Sequence, residues 1–171
     1  MMFLAEPAKS EIAKIATLMR RDLATCVETF AAEDADKGVI IVHNRSVIDH
    51  PLFVRIDPLF IGGKVGLNAG EYLFMVGIWL PTAARAEFLD WYQNEHLPIL
   101  LECPTWNGCR FVERPMSEGH QFYALHQLEH PNALHSEQRR GSRATPWFTR
   151  LKQHPWFDEQ FTRQLYVSCS K

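Results

Sequence analysis

The sequence predicts an α+β fold over residues 71–171: a four-stranded antiparallel sheet with helices packed on one face. Three observations carry this. The run YLFMVGIWL, Tyr72 to Leu80, is apolar on both alternating faces, as a central strand covered on both sides must be. An amphipathic stretch follows Pro81 and Thr82, with Thr82 placed to cap a helix and Pro98 placed to interrupt it. Strand patterns then return at Trp106 to Val112 and Phe122 to Leu128, across the polar turn ERPMSEGH, and once more at Phe161 to Ser168.

The helix after Thr82 runs through AARAEFLDWYQNEHL. Pro98 removes one hydrogen bond and clashes with the carbonyl of Asn94, so the helix must kink or restart there, and ILLEC gives a further turn closed by Pro104. A second helical region starts near Asn132, is interrupted at RRGSR, and resumes with Thr145 as N-cap and Pro146 as first residue of WFTRLKQ. The order β-α-β-β-α-β is that of the ferredoxin-like fold, in which both helices lie on one face of the sheet. The other face is then open. With apolar side chains on both sides of Tyr72 to Leu80, a homodimer through that open face is the economical expectation.

Residues 1–70 form a separate N-terminal segment. Ile12, Ile15, Met19, Leu23, Cys26, Val27 and Phe30 recur at steps of three and four and predict one amphipathic helix from Ser10 to Phe30, ended by AEDADKG. Two short β-like runs, Val39 to Val42 and Leu52 to Ile56, flank NRSVIDHP. GGKVGLNAG, Gly62 to Gly70, matches neither G-x-G-x-x-G nor a Walker loop and reads as a linker dividing the chain.

Composition narrows the function classes. Of 171 residues, 46% are hydrophobic and 22% charged, as in a globular protein with a real core. A net charge of -2 gives no footprint for nucleic acid or an anionic membrane. The basic run Arg139, Arg140, Arg143 is local and reads as a solvated loop. No apolar run approaches the roughly 20 residues needed to span a bilayer, and the first residues do not resemble a secretory signal. Four scattered cysteines without a C-x-x-C pair suit reduced thiols, hence a cytoplasmic location.

The chemistry-bearing residues gather around WYQNEHLP, Trp91 to Pro98. At 100° per residue Leu89, Tyr92 and His96 fall within a sector of about 60°, on the face that looks at the sheet, while Asp90, Asn94 and Leu97 lie elsewhere. An apolar setting keeps His96 neutral near pH 7, able to accept a proton beside the Tyr92 phenol, which is the minimum for acid–base work. The other reading of His96 is architectural, as a hydrogen-bonded residue satisfying backbone groups freed by Pro98. Glu95 points to the rim, towards a surface ion pair. By the period of two, His126 shares a strand face with Phe122, Ala124 and Leu128 and can join His96. Arg110 shares a face with Trp106 and Gly108, where it can hold a substrate carboxylate or phenolate, or pair with an acidic side chain at the dimer edge. Trp106 is a candidate wall for a flat ligand. HQLEH, His126 to His130, lacks the glutamate after its first histidine and sits at a strand end, so no metal site is expected.

The stretch AEFLDWYQNEHLPILLECPTWNGCRF, from Ala86 to Phe111, resembles the helix-and-strand signature of the EthD-like branch of the dimeric α+β barrel proteins. YALHQLEHPNALHSE, Tyr123 to Glu137, and TPWFTR, Thr145 to Arg150, resemble that family's later blocks. The likeness covers about residues 72–168. It departs from the pattern at Thr105, where glycine is usual, and at Cys109 and Arg110, where an arginine pair is usual. The resemblance implies a dimeric α+β barrel. Because the wider superfamily holds cofactor-free monooxygenases, polyketide cyclases, lactone isomerases and haem-degrading enzymes, it implies function only broadly. The expectation is a cofactor-independent enzyme working by histidine acid–base chemistry on a small, flat, apolar or aromatic substrate; a non-catalytic ligand-binding or stress-related module is the alternative. Some family members carry two copies of the unit, so residues 1–70 are either a degenerate first copy or a cap.

Overall fold

The computed structural model describes residues 2–23, 26–43, 48, 51–66, 69–157 and 160–169. Its strands are β1 (Met2–Ala5), β2 (Cys26–Ala32), β3 (Gly38–His43), β4 (Val54–Gly63), β5 (Tyr72–Leu80), β6 (Trp106–Arg114), β7 (His120–Leu128) and β8 (Thr162–Ser168). They close into one antiparallel barrel in the order β1-β3-β2-β8-β5-β7-β6-β4. The helices are α1 (Ile12–Leu23), α2 (Arg85–Trp91), α3 (Leu97–Leu101), α4 (Glu137–Ser142) and α5 (Pro146–Leu151), with a π turn over Tyr92–His96 between α2 and α3.

The second half has the strand order β8-β5-β7-β6, and the first half repeats it as β4-β1-β3-β2. The halves join symmetrically, β2 on β8 and β4 on β6. The sheet is therefore eight-stranded rather than four-stranded. The face expected to await a second copy is covered by the chain's own first half. Met2, Phe30, Ile41, Ile56, Leu73, Val112, Leu125 and Tyr166 bring one side chain from each strand into the barrel interior, and eight strands leave an interior that side chains can fill.

The predicted helix over Ser10 to Phe30 ends at Leu23. Cys26 to Phe30 belongs to β2, where Val27 packs outward under α1 while Phe30 points into the barrel. A step of three can mimic a helical stripe, but pairing with β3 decides the matter. The segment Met2–Ala5, which no pattern announced, is buried throughout and fills the slot between β3 and β4. Most of NRSVIDHP lies outside the described residues.

The first two glycines of the expected linker are strand. Gly62 and Gly63 pair with Cys109 and Gly108, and an added Cβ on Gly108 would stand 2.2 Å from the Lys64 carbonyl oxygen and 2.8 Å from that of Gly62. Gly108→Ala must push backbone from backbone. It is expected to cost about 1–3 kcal/mol, read as a lower urea midpoint.

On the helical face, Thr82 starts a short 3₁₀ turn and caps nothing with its side chain. Thr145 does cap α5, accepting from the Phe148 N–H at 3.1 Å. RRGSR does not break the helix where expected: Ser136 caps α4 and Arg139 and Arg140 lie within it. Among the described residues no helix is long and apolar enough to cross a bilayer.

Candidate functional site

Pro98 sets the local geometry. Lacking an N–H, it cannot continue a regular α-helix, and the chain answers with the π turn, in which the Leu97 N–H reaches back five residues to the Tyr92 carbonyl. The extra residue rotates everything downstream. Leu97, projected away from the sheet, is consequently buried, and Phe88 and Trp91 occupy the inner face more deeply than Leu89 does. His96 now faces two rings of the preceding turn, with centroids 4.5 Å from Trp91 and 5.0 Å from Tyr92.

The His96 ring is oriented by one contact, Nδ1 to the Ser142 carbonyl oxygen at 3.4 Å. A carbonyl only accepts, so Nδ1 carries the proton and Nε2 presents a lone pair. Among the described residues nothing bonds to that Nε2. Burial lowers the His96 pKa to about 4; the Ser142 contact opposes this, and the charges of Arg143 and Arg139 add to it. The ring is neutral at pH 7, as expected.

His126 joins this group from β7. Trp106 Nε1–H donates to its Nδ1 at 3.1 Å, and its Nε2 stands 2.7 Å from the Tyr92 hydroxyl. Indole is a donor only, so Nδ1 is bare, Nε2 holds the proton, and the phenol oxygen accepts it. The Tyr92 O–H then turns to Cys109, its remaining hydrogen-bond partner. Burial, with His96 and Arg139 nearby, holds His126 well below the usual histidine range, and burial raises both Tyr92 and Cys109. The chain Trp106–His126–Tyr92–Cys109 is thus saturated and locked in one tautomer. It supports the site wall and leaves His96 as the residue with a free acceptor.

Arg110 is elsewhere. The register of β6 slips at Asn107, between Trp106 and Gly108. This bulge turns Trp106 outward to His126 while Arg110 points into the barrel. There its two terminal nitrogens each donate to Glu28 at 2.6 Å. Both side chains are almost wholly buried. Arg110 therefore has its acidic partner within the same chain, on the opposite side of the sheet from His96. Glu95 accepts from Trp91 Nε1 at 3.1 Å and from Thr145 Oγ1 at 2.6 Å. Instead of a surface ion pair it makes a tie between the π turn and the α5 cap. His130 accepts from the Asn132 N–H, and no three His, Cys, Asp or Glu side chains among the described residues converge as metal ligands.

Between the helices and the sheet lies a cavity of about 70 Å³ whose lining includes Phe74, Tyr92, His96, Trp106 and His126. Arg139, Arg143 and Arg163 also line it. Arg139 and Arg143 thus lie on a cavity wall rather than in a solvated loop, held beside aromatic rings from distant elements: Phe74 of β5 lies 5.7 Å from the Arg139 guanidinium and Phe148 of α5 lies 5.8 Å from that of Arg143.

No family model and no curated protein matches the chain. Solved structures do. A heme-degrading enzyme from Listeria monocytogenes superposes with a TM-score of 0.66 at 12% identity, covering 97% of each chain. A ferredoxin fold protein related to antibiotic biosynthesis monooxygenases, from the same species, gives 0.67 at 14% identity over 98% of this chain and 94% of that one. An anthrone oxidase-like protein gives 0.68 at 9% identity, covering 98% and 90%. The chain thus has a ferredoxin-like α+β barrel fold.

Proposed function

We propose that the protein is an EthD-like α+β barrel enzyme that works without a cofactor on a small, flat, largely apolar molecule held between α2–α3 and the sheet. The observation that carries this is the unpartnered Nε2 of a neutral His96 in an aromatic cavity. Nε2 accepts the hydrogen bond, or the proton, of an acidic O–H or C–H on the substrate. Tyr92, His126 and Trp106 fix the wall against which the ring lies. Isomerisation, cyclisation and oxygenation all begin with such a proton movement. A haem does not fit: about 70 Å³ is well under the roughly 300 Å³ or more that drug-sized ligands occupy, and no step is routed through one. Any homodimer of this chain meets through the barrel's outer surface, since the inner face is filled.

His96→Gln is expected to lower turnover of hydroxyaromatic or lactone substrates by about 10²–10⁴-fold while far-ultraviolet dichroism stays unchanged. Turnover equal to wild type overturns the proposal. A second reading, binding without chemistry, draws on the low proton affinity of His96; ligand recovered unaltered from a saturated complex identifies it.

A further inference from the structure

The cavity wall carries a second polar feature besides His96, and it is basic. Arg139 of α4, Arg143 just beyond α4 and Arg163 of β8 converge on it from two parts of the chain. Arg139 is half-buried and donates from Nη1 to the Leu134 carbonyl oxygen at 2.5 Å, leaving the rest of its fork free among the described residues. Among the described residues no carboxylate lies within ion-pair distance of Arg139 or Arg143. Elsewhere the chain pairs its arginines readily: Arg55 with Asp57, Arg85 with Glu113, Arg110 with Glu28, Arg150 with Glu87. Arg20, Arg114 and Arg140 also have no carboxylate at ion-pair distance among the described residues, but they do not line this cavity, whereas Arg139 and Arg143 do and leave a place there for a counter-charge. Each is laid against an aromatic ring, which holds the guanidinium in place and presents its donors sideways.

The charge geometry also bears on His96. Its neutral Nε2 repels an anionic oxygen but welcomes a hydroxyl or an acidic C–H. The two polar features thus ask for different groups on one molecule: an anion at the arginines and a proton donor at the imidazole, with an apolar plane between. The enclosed volume of about 70 Å³ is less than the roughly 150 Å³ that encloses a benzene, so it takes part of a single ring and no fused system, with the anion left at the mouth beside the exposed Arg143.

Resting on the cavity as the functional site, we propose that its ligand is an anion: a single-ring aromatic bearing a carboxylate or an equally acidic oxygen, clamped by Arg139 and Arg143, with a hydroxyl or acidic C–H directed at His96. The clamp orients the ring, and the anion neutralises the positive charge that would otherwise oppose proton transfer to His96.

The probe is meta-hydroxybenzoate, compared with its methyl ester and with benzoate by quenching of Trp91 and Trp106, both on the cavity wall, and by calorimetry. The hydroxybenzoate is expected to bind about tenfold or more tightly than the ester, the difference that one charge-assisted pair supplies, and to weaken with added salt. Arg143→Ala, at an exposed position whose backbone N–H bonds at the end of α4 an alanine keeps, and Arg139→Lys, which keeps the charge without the fork, should each bring the acid towards the ester while leaving ester affinity unchanged. His96→Gln should remove the advantage of hydroxybenzoate over benzoate. If ester and acid bind equally and the arginine variants change nothing, the anion assignment is overturned while the cavity stands. If no probe binds and His96→Gln is silent, the assignment of the site falls with it.

Discussion

Glu28→Gln is expected to lower stability by about 3–5 kcal/mol, the penalty for leaving one member of a buried ion pair alone. Glu28 accepts from both terminal nitrogens of Arg110 at 2.6 Å, with His43 Nε2 at 2.8 Å and Gln127 Nε2 at 3.4 Å. Burial raises the carboxyl pKa, but the bonds from His43 and Arg110 more than offset it, and Glu28 sits below the usual glutamate range. It is therefore an anion at pH 7, and the amide that replaces it leaves a guanidinium uncompensated inside the barrel. The Arg110 Nε already has no partner among the described residues, so the site has little reserve. The pair also bridges β2 of the first half and β6 of the second, which makes it a sensitive report on whether the halves close as described. Urea midpoints should show the loss, and the double variant Glu28→Met with Arg110→Met should recover most of it, because replacing a buried pair by apolar side chains is often neutral. A single variant as stable as wild type would mean that Glu28 and Arg110 are not paired in a dry interior.

What the sequence made legible follows the range of the interactions. β5, β6, β7 and β8 were found within a residue or two because each alternation is local and strong. The meeting of Tyr92 with His126, 34 residues apart, was half within reach: the helical projection put Tyr92 on the sheet-facing side, while the period of two grouped His126 with Phe122, Ala124 and Leu128 without saying whether that face meets the helices. Three features were not readable. β1 is four residues without a pattern, and its place depends on two strands that come later in the chain. The bulge at Asn107 changes which side Trp106 faces, so a strict period of two grouped it with Arg110, which looks the other way. The closure of the barrel is a tertiary fact: an exposed sheet face on paper demands a cover, and nothing local says that residues 1–70 supply it. Their short strands, interrupted helical pattern and terminal glycines disguise a unit whose strand order repeats that of residues 71–171. The arginines of α4 illustrate the same limit, since their aromatic neighbours are far away in sequence.

Acidification should separate His96 from the rest of the fold. In the unfolded chain its imidazole takes a proton near pH 6.5, whereas in the native state it does so only near pH 4. Between those values the unfolded state binds more protons, so stability is full above about 6.5 and is lost as the pH falls towards 4. Two and a half units correspond to about 3 kcal/mol at the acid limit. Replacing His96 by Gln removes this linkage and keeps a donor for the Ser142 carbonyl. At pH 7 wild type and variant should therefore unfold at similar urea concentrations, and at pH 4.5 the wild type should have lost about 2–3 kcal/mol more than the variant. His126, also held far below its ordinary value, adds acid sensitivity of the same sign; its largest cause, burial, is present in both proteins and cancels in the difference, and only the smaller part due to the His96 charge is lost with the variant. So do the carboxylates. Equal losses would show that solvent reaches the ring freely enough to restore its ordinary basicity, and His96 would then be a surface imidazole rather than the acceptor of a dry cavity. The predicted difference fits a residue kept at a cost in acid stability, as functional groups in apolar sites commonly are, and it needs no substrate to be known.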